Sequence, residues 1–243
     1  MTAITAINDL QRPGQVICGG MSYAAHNEEL SAMMQYAEEI KGLPFFFVKS
    51  PGAHNTHGAP IILPDISPLI RKPFAQAHGQ VTGEVELAIV IRERAYRIRP
   101  EQVHAHILGY TIFNDITQRD LQLAGYPVSM CKGFHSFGPL GPTLVPAAQI
   151  RDPQQLRFAL RVNGTTHQEG SLSEMLFSIE TLVSSASHVV MLEPGDVVTT
   201  GSPPGMFGYG LQPGDVIEAE IEGIGILRNP VTSWSKHTEG RRQ

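Results

Sequence analysis

Apolar and polar positions along this chain alternate in short runs, and only three stretches keep the three-and-four spacing of a helix. The run Glu84-Val85-Glu86-Leu87-Ala88-Ile89-Val90-Ile91 is the clearest strand. Successive strand residues point to opposite faces, so Val85, Leu87, Ile89 and Ile91 share one face. Glu84 and Glu86 share the other, which turns apolar at Ala88 and Val90. Strands are also expected at Phe45 to Lys49, Gly109 to Asn114, Phe158 to Asn163, Val197 to Thr200, Val216 to Ile221 and Ile224 to Arg228. Asn163-Gly164 predicts a tight hairpin into Thr165 to Glu169, because both central residues of that turn need positive φ. Leu30, Met33, Met34, Ala37 and Ile40 predict a helix from Ala24 to Lys41, stopped by Gly42 and Pro44. Thr117-Gln118-Arg119-Asp120 fits a capping box for a short second helix. Met175, Leu176, Ile179, Leu182 and Val183 predict a third over Ser173 to Ser187. Strands and helices do not alternate regularly, so the expected fold is α+β and mostly β, a closed or rolled body with a few peripheral helices.

Composition narrows the class. Of 243 residues, 24 are glycine and 18 proline, which suits many turns rather than a helical bundle. Eighteen basic against 23 acidic residues give a net charge of −5, with no footprint for nucleic acid. The arginines from Arg92 to Arg99 read as a solvated strand end and loop. Cys18 and Cys131 are the two cysteines, in no zinc-type or CxxC spacing. No apolar run reaches the 18 residues of a membrane span, and the N-terminus lacks a secretory pattern. A cytoplasmic protein with no membrane or nucleic-acid partner is expected. No linker divides the chain, so one domain is expected over 1–243, with its core at about 16–231 and loose ends.

Five segments hold residues that could do chemistry. Glu84 and Glu86 side by side on a strand entering an apolar interior need a counter-charge, for which a divalent cation is the economical choice. An exposed strand end with solvated glutamates is the simpler alternative. Asp115 falls at a strand-to-helix junction, where it either joins a site or caps the helix. Arg119 and Asp120 could form a local ion pair. His26 and Glu29 stand at i and i+3 on the first helix, close enough for a carboxylate to orient an imidazole base, or for a plain surface contact. Lys132 could hold a carboxylate or lie exposed, and Thr200-Gly201-Ser202-Pro203-Pro204-Gly205 is either an anion-binding loop or a tight turn. A nucleophile elbow, a Walker loop, a Rossmann spacing and a HExxH motif are all missing.

Taken together, the segments resemble the fumarylacetoacetate hydrolase (FAH) family, in its catalytic-domain type. The matching run is Gly20-x-x-Tyr23-x-x-His26-x-x-Glu29, Phe47-Val-Lys49, Glu84-Val-Glu86-Leu-Ala, Asn114-Asp115-Ile-Thr-Gln-Arg119-Asp120, Lys132-Gly-Phe, Gly138-Pro-Leu-Gly-Pro142 and Thr200-Gly-Ser-Pro-x-Gly205. It spans roughly Val16 to Val231. The resemblance implies a mixed β-sandwich roll, usually a homodimer, that binds Mg²⁺ or Mn²⁺ through Glu84, Glu86 and Asp115, with Ca²⁺ as a non-native substitute. It also implies a water-activating dyad of His26 and Glu29 on a lid helix, an oxyanion contact from Lys132, and substrate contacts from Tyr23, Lys49, Arg119, Gln122 and Ser202. Ser22, His135 and the bulky Met206-Phe207 depart from the family pattern and bear on the substrate. The activity so implied is hydrolysis of a C–C bond in a small 1,3-dioxo or enolised keto acid, such as an acylpyruvate. Alternatives are a decarboxylase, or an isomerase or tautomerase, of a β-keto or unsaturated keto diacid. A scaffold that keeps the cation for structure is a further, non-catalytic alternative.

Overall fold

The computed structural model describes residues 13–33, 44–66 and 80–235. Its strands, in chain order, are β1 (Val16–Gly20), β2 (Phe45–Lys49), β3 (His54–Thr56), β4 (Ile61–Leu63), β5 (Val81–Thr82), β6 (Val85–Ile91) and β7 (Ile107–Asn114). They continue as β8 (Thr117–Gln118), β9 (Gly138–Pro146), β10 (Arg157–Val162), β11 (Thr165–Ser171), β12 (Val197–Thr199), β13 (Val216–Ile221) and β14 (Gly225–Ser233). The helices are α1 (Ala24–Met33), α2 (Val103–His106), α3 (Arg119–Leu123), α4 (Val128–Lys132) and α5 (Ile179–Val189). The chain is strand-rich, with helices short and peripheral, as the period-2 pattern predicts.

Seven strands form a mixed sheet in the order β2-β1-β12-β6-β7-β9-β3, five form a second in the order β11-β10-β13-β14-β4, and β5 pairs with β8. The alternation in β6 decides how the sheets pack. Val85, Leu87, Ile89 and Ile91 join Ile112, Leu160, Ile217, Ala219 and Leu227 in one buried cluster between the two sheets. Burying each of the larger members stabilises the fold by about 1.5–3 kcal/mol. The opposite face of β6 carries Glu86 and then Ala88 and Val90, which pack with Val16, Cys18, Phe113, Leu140 and Val197 in a second cluster. Glu86 therefore lies on the central strand of the larger sheet, on the face turned away from the main core, and Glu84 stands immediately before that strand.

Local details follow their residues, with corrections. Asn163 (φ 50°) and Gly164 (φ 81°) make the expected two-residue turn between Val162 and Thr165. The expected capping box at Thr117 does not form. Thr117 and Gln118 pair with β5 instead, α3 starts at Arg119 with no side-chain cap, and the Asp120 carboxylate accepts from the Gln80 N–H (2.8 Å) and the Gln118 amide (3.0 Å). The third helix begins later than its apolar spacing suggests. Ser178 caps it by accepting from the Thr181 N–H, while Leu172–Glu174 is a separate 3₁₀ turn. The part of the first predicted helix beyond Met33 and both chain ends lie outside the described residues. Within them, no helix is long and apolar enough to cross a membrane.

Candidate active site

The site forms where β6 begins and β7 ends. Val85 pairs with Asn114 and Glu86 with Phe113, and the Asp115 N–H donates to the Glu84 carbonyl at 2.9 Å. This register carries Asp115 back beside the two glutamates. Chain entry into β6 is close-packed: a Cβ on Gly83 would come within 2.5 Å of Ile217 and 2.7 Å of the Asn114 amide oxygen. That oxygen accepts from the Glu84 N–H (3.0 Å), fixing the first glutamate. Glu84, Glu86 and Asp115 are all buried, and one carboxylate oxygen from each lies within 4.8 Å of the others. The readings of an exposed strand end and of a simple helix cap for Asp115 therefore do not hold.

Three buried cations face this cluster. The Lys132 ammonium donates to Glu84 at 2.9 Å and also to Asp115. Lys49 donates to Asp115 and to the Ile116 carbonyl (3.0 Å). Arg119 donates to Glu84, to the Thr82 hydroxyl (2.7 Å) and to the Gln122 side-chain oxygen (2.7 Å), and its guanidinium lies 5.5 Å from the Phe207 ring centre. The partner of Arg119 is thus Glu84, 35 residues away, and not neighbouring Asp120. Burial opposes ionisation of Glu84, but Lys132 and Arg119 outweigh it and hold its carboxyl well below the usual range. Burial likewise opposes charge on Lys132, and Asp115 and Glu84 outweigh it and push its ammonium up. For Lys49 burial wins, and its ammonium is lowered despite Asp115.

Glu86 is different. Its carboxylate accepts from the Thr199 hydroxyl, and among the described residues it has no ion-pair partner. Burial, then Asp115 and Glu84, push it well above the ordinary carboxylate range. A buried acid next to two others, with no cation of its own, is the local deficit that a divalent ion would fill. Three carboxylate oxygens, with no sulfur or imidazole among them, are the donor set that Mg²⁺ or Mn²⁺ favours. The residues present fit such an ion.

Opposite the cluster stands the loop from Thr200 to Gly205. His26 is buried, and its Nδ1 donates to the Pro203 carbonyl at 3.3 Å. Glu29 accepts from the Gly205 N–H at 2.9 Å. The expected pairing of His26 with Glu29 is thus not made: both side chains of α1 are committed to this loop and not to each other. Burial holds the His26 imidazole below its ordinary value, with Glu84 pulling up and Arg119 and Lys132 pulling down. Tyr23 lies in the main core, edge-on to Phe158 with ring centres 6.1 Å apart. Ser202 is buried and accepts from the Gln168 amide at 2.9 Å. Gln122 is partly exposed and bound to Arg119. Thr82, Asn114, Gln168 and Thr199 each hold a site residue by a bond to a distant segment, and sequence reasoning assigns none of them a role. Asn114 at least sits inside a recognisable motif, whereas no local signal marks the other three.

A curled, strand-rich body whose central strand and neighbouring junction bring three carboxylates together defines a protein with a candidate divalent-cation centre. The family profile described as Fumarylacetoacetate (FAA) hydrolase C-terminal matches residues 15–232, and the chain belongs to this family. An uncharacterised protein of Pyrococcus abyssi is 40% identical over 224 residues, 90% of this chain and 91% of that protein. Oxaloacetate tautomerase YisK of Bacillus subtilis is 36% identical over 222 residues, 89% of this chain and 69% of the tautomerase. Among solved structures, 5-carboxymethyl-2-hydroxymuconate delta-isomerase from Mycobacterium smegmatis is similar with a TM-score of 0.75 and 34% identity, over 91% of this chain and 78% of that one. Fumarylacetoacetate hydrolase from Exiguobacterium antarcticum also gives a TM-score of 0.75 at 34% identity, over 91% of this chain and 76% of that one. The family thus includes hydrolases, isomerases and tautomerases.

Proposed function

We propose that this chain is a divalent-cation-dependent tautomerase or isomerase of a small enolisable keto acid of the oxaloacetate kind. The observation that carries this reading is the separate commitment of His26 and Glu29. A dyad for activating water needs a carboxylate on the imidazole, and here Glu29 Oε2 accepts from the Gly205 N–H while His26 Nδ1 faces the Pro203 carbonyl, with no bond between the two side chains. The Pro203 carbonyl only accepts, so the His26 nitrogen facing it carries the proton and Nε2 keeps the lone pair. A neutral imidazole with one free basic nitrogen suits moving a proton between an oxygen and a carbon of the substrate. It accepts at one atom and delivers at the other, and no water is consumed.

Glu84, Glu86 and Asp115 would hold Mg²⁺ or Mn²⁺, which supplies positive charge to the substrate's carboxylate and keto oxygens. Lys132 and Arg119 keep Glu84 ionised and ready as a ligand. Gln122, partly exposed and bound to the buried Arg119, would face the substrate, with Arg119 acting through it. The 36% identity to an oxaloacetate tautomerase supports the same reaction class.

Hydrolysis of an acylpyruvate-like C–C bond is the second reading, favoured by the 34% identity to a fumarylacetoacetate hydrolase. It requires a Glu29 carboxylate oxygen to reach the His26 ring, a bond the structure does not make. Decarboxylation of a β-keto acid uses the same cluster. Enol loss from freshly dissolved oxaloacetate, followed by ultraviolet absorbance with Mn²⁺ and with chelator, tests the first reading. Product analysis on acylpyruvates tests the second. Cation-dependent acylpyruvate cleavage without any acceleration of enol loss would reverse their order. The homodimer implied by the resemblance belongs to the same proposal, and light scattering at micromolar concentration checks it.

A further inference from the structure

The described residues outside the cluster include one buried polar side chain with bonds to both halves of the site. Gln168 lies on β11, just past an irregularity in its pairing with β10. Leu160 faces Gln168, but Arg161 faces Thr166, so His167 is an extra residue on β11. Such bulges re-aim side chains. Residues 166 and 168 would share a face in a regular strand, yet Thr166 is exposed and Gln168 is 1% exposed. The extra residue is itself used: the His167 ring stacks on Tyr209 with centres 3.9 Å apart. The Tyr209 hydroxyl accepts from the Gly83 N–H (3.0 Å) and donates to the Gly83 carbonyl (3.1 Å), immediately before Glu84.

The two arms of Gln168 point to different partners. Its oxygen accepts from the Val85 N–H at 3.0 Å, at the first residue of β6 and between Glu84 and Glu86. Its nitrogen donates to the Ser202 hydroxyl and to the Pro203 carbonyl, each at 2.9 Å. The chemistry fixes the amide's orientation, since Val85 offers only a donor there and Pro203 only an acceptor. The Pro203 carbonyl is also the acceptor for His26 Nδ1. One buried amide therefore spans from the backbone of the carboxylate strand to the carbonyl that selects the histidine's tautomer.

We infer that Gln168 is a positioning residue that sets the carboxylate strand and the His26 tautomer in one register. It touches neither substrate nor cation and acts through Val85 and Pro203. The inference rests on the reading of His26 as the proton carrier, and its central measurements need no turnover.

Two substitutions separate the arms. Gln168→Glu keeps an oxygen for the Val85 N–H and removes the donor to Pro203, whereas Gln168→Met removes both arms at similar length. In the unsubstituted protein, nitrogen-15 NMR of the imidazole should show His26 protonated at Nδ1 and bare at Nε2. In Gln168→Glu the two tautomers should mix, Mn²⁺ affinity by calorimetry should stay within about 2-fold, and kcat should fall about 10-fold or more with KM little changed. Gln168→Met should in addition weaken Mn²⁺ binding about 10-fold. A Gln168→Glu protein with the parent tautomer and kcat would overturn the inference. So would an unsubstituted protein whose His26 is protonated at Nε2, which decides the matter even if both variants fail to fold. Failure of keto-acid turnover in the parent protein, with the tautomer and affinity results as stated, would count against the proposed reaction and leave the positioning role intact.

Discussion

Replacing Lys132 by methionine removes the ammonium that touches two of the three cluster carboxylates while keeping most of the side chain's length. In the cation-free protein this strips Glu84 and Asp115 of a shared donor that is 5% exposed. Each keeps one cationic partner, Arg119 for Glu84 and Lys49 for Asp115. Breaking a buried charge pair from one side costs about 3–5 kcal/mol, because the remaining charge stays buried. For a chain of this size each kcal/mol moves the melting temperature by about 2–4 °C, so the loss is on the order of 10 °C. A bound divalent ion brings positive charge to the same oxygens. Mn²⁺ should therefore raise the melting temperature of Lys132→Met by more than it raises that of the parent. Differential scanning fluorimetry in chelator and in Mn²⁺, on both proteins, reads the two shifts. Equal melting temperatures in chelator would refute the account of Lys132 as internal counter-charge. Equal gains from Mn²⁺ would refute the idea that lysine and cation serve the same carboxylates.

Glu86→Gln should behave in the opposite sense, abolishing Mn²⁺ binding in calorimetry without lowering the stability of the cation-free protein. Glu86 is held above its ordinary range by burial, Asp115 and Glu84, so the unfolded chain releases that proton first as pH rises. Cation-free stability should then fall from the ordinary glutamate range up through the raised value, and urea melts across pH should show this slope flattened in Glu86→Gln. His26→Ala should slow turnover about 10²-fold or more, the usual cost of losing a proton carrier. Because burial lowers the His26 value, the acid limb of kcat/KM should lie below the ordinary imidazole range in the parent and disappear in the variant.

What the sequence makes legible and what it hides follow from the range of the interactions. The Asn163-Gly164 turn and the two faces of β6 are local facts, set by φ preferences and by period-2 alternation, and neighbouring residues alone suffice to read both. The carboxylate cluster is legible in part, since two same-face glutamates running into an apolar strand call for a counter-charge whatever supplies it. Local patterns mislead where a distant partner wins. Thr117 and Asp120 have the letters of a capping box, but Thr117 is taken by β5 and the Asp120 carboxylate by Gln80, 40 residues earlier. His26 and Glu29 have the spacing of a dyad, but a loop more than 170 residues away takes both. Gln168 has no motif at all, because its role depends on a bulge and on partners 83 and 35 residues distant.

The pairing of β1 with β12 joins Val16 to Val197 and Cys18 to Thr199, and the Gln15 N–H and side chain both donate to Asp196. This long closure sets an order of events during synthesis. Glu84, Glu86 and Asp115 are made in the first half of the chain, while the Thr199 hydroxyl, the Pro203 carbonyl and the Gly205 N–H arrive near its end. Contacts so distant in sequence carry the largest loop-closure cost and form late. Until β12 slots between β1 and β6, the three acids have no reason to leave water, and His26 has nothing to fix its tautomer. A nascent chain halted before Val197 thus carries every carboxylate of the centre but not the frame that makes them a centre, and tight cation binding becomes a signal that the segment from Val197 onward has docked.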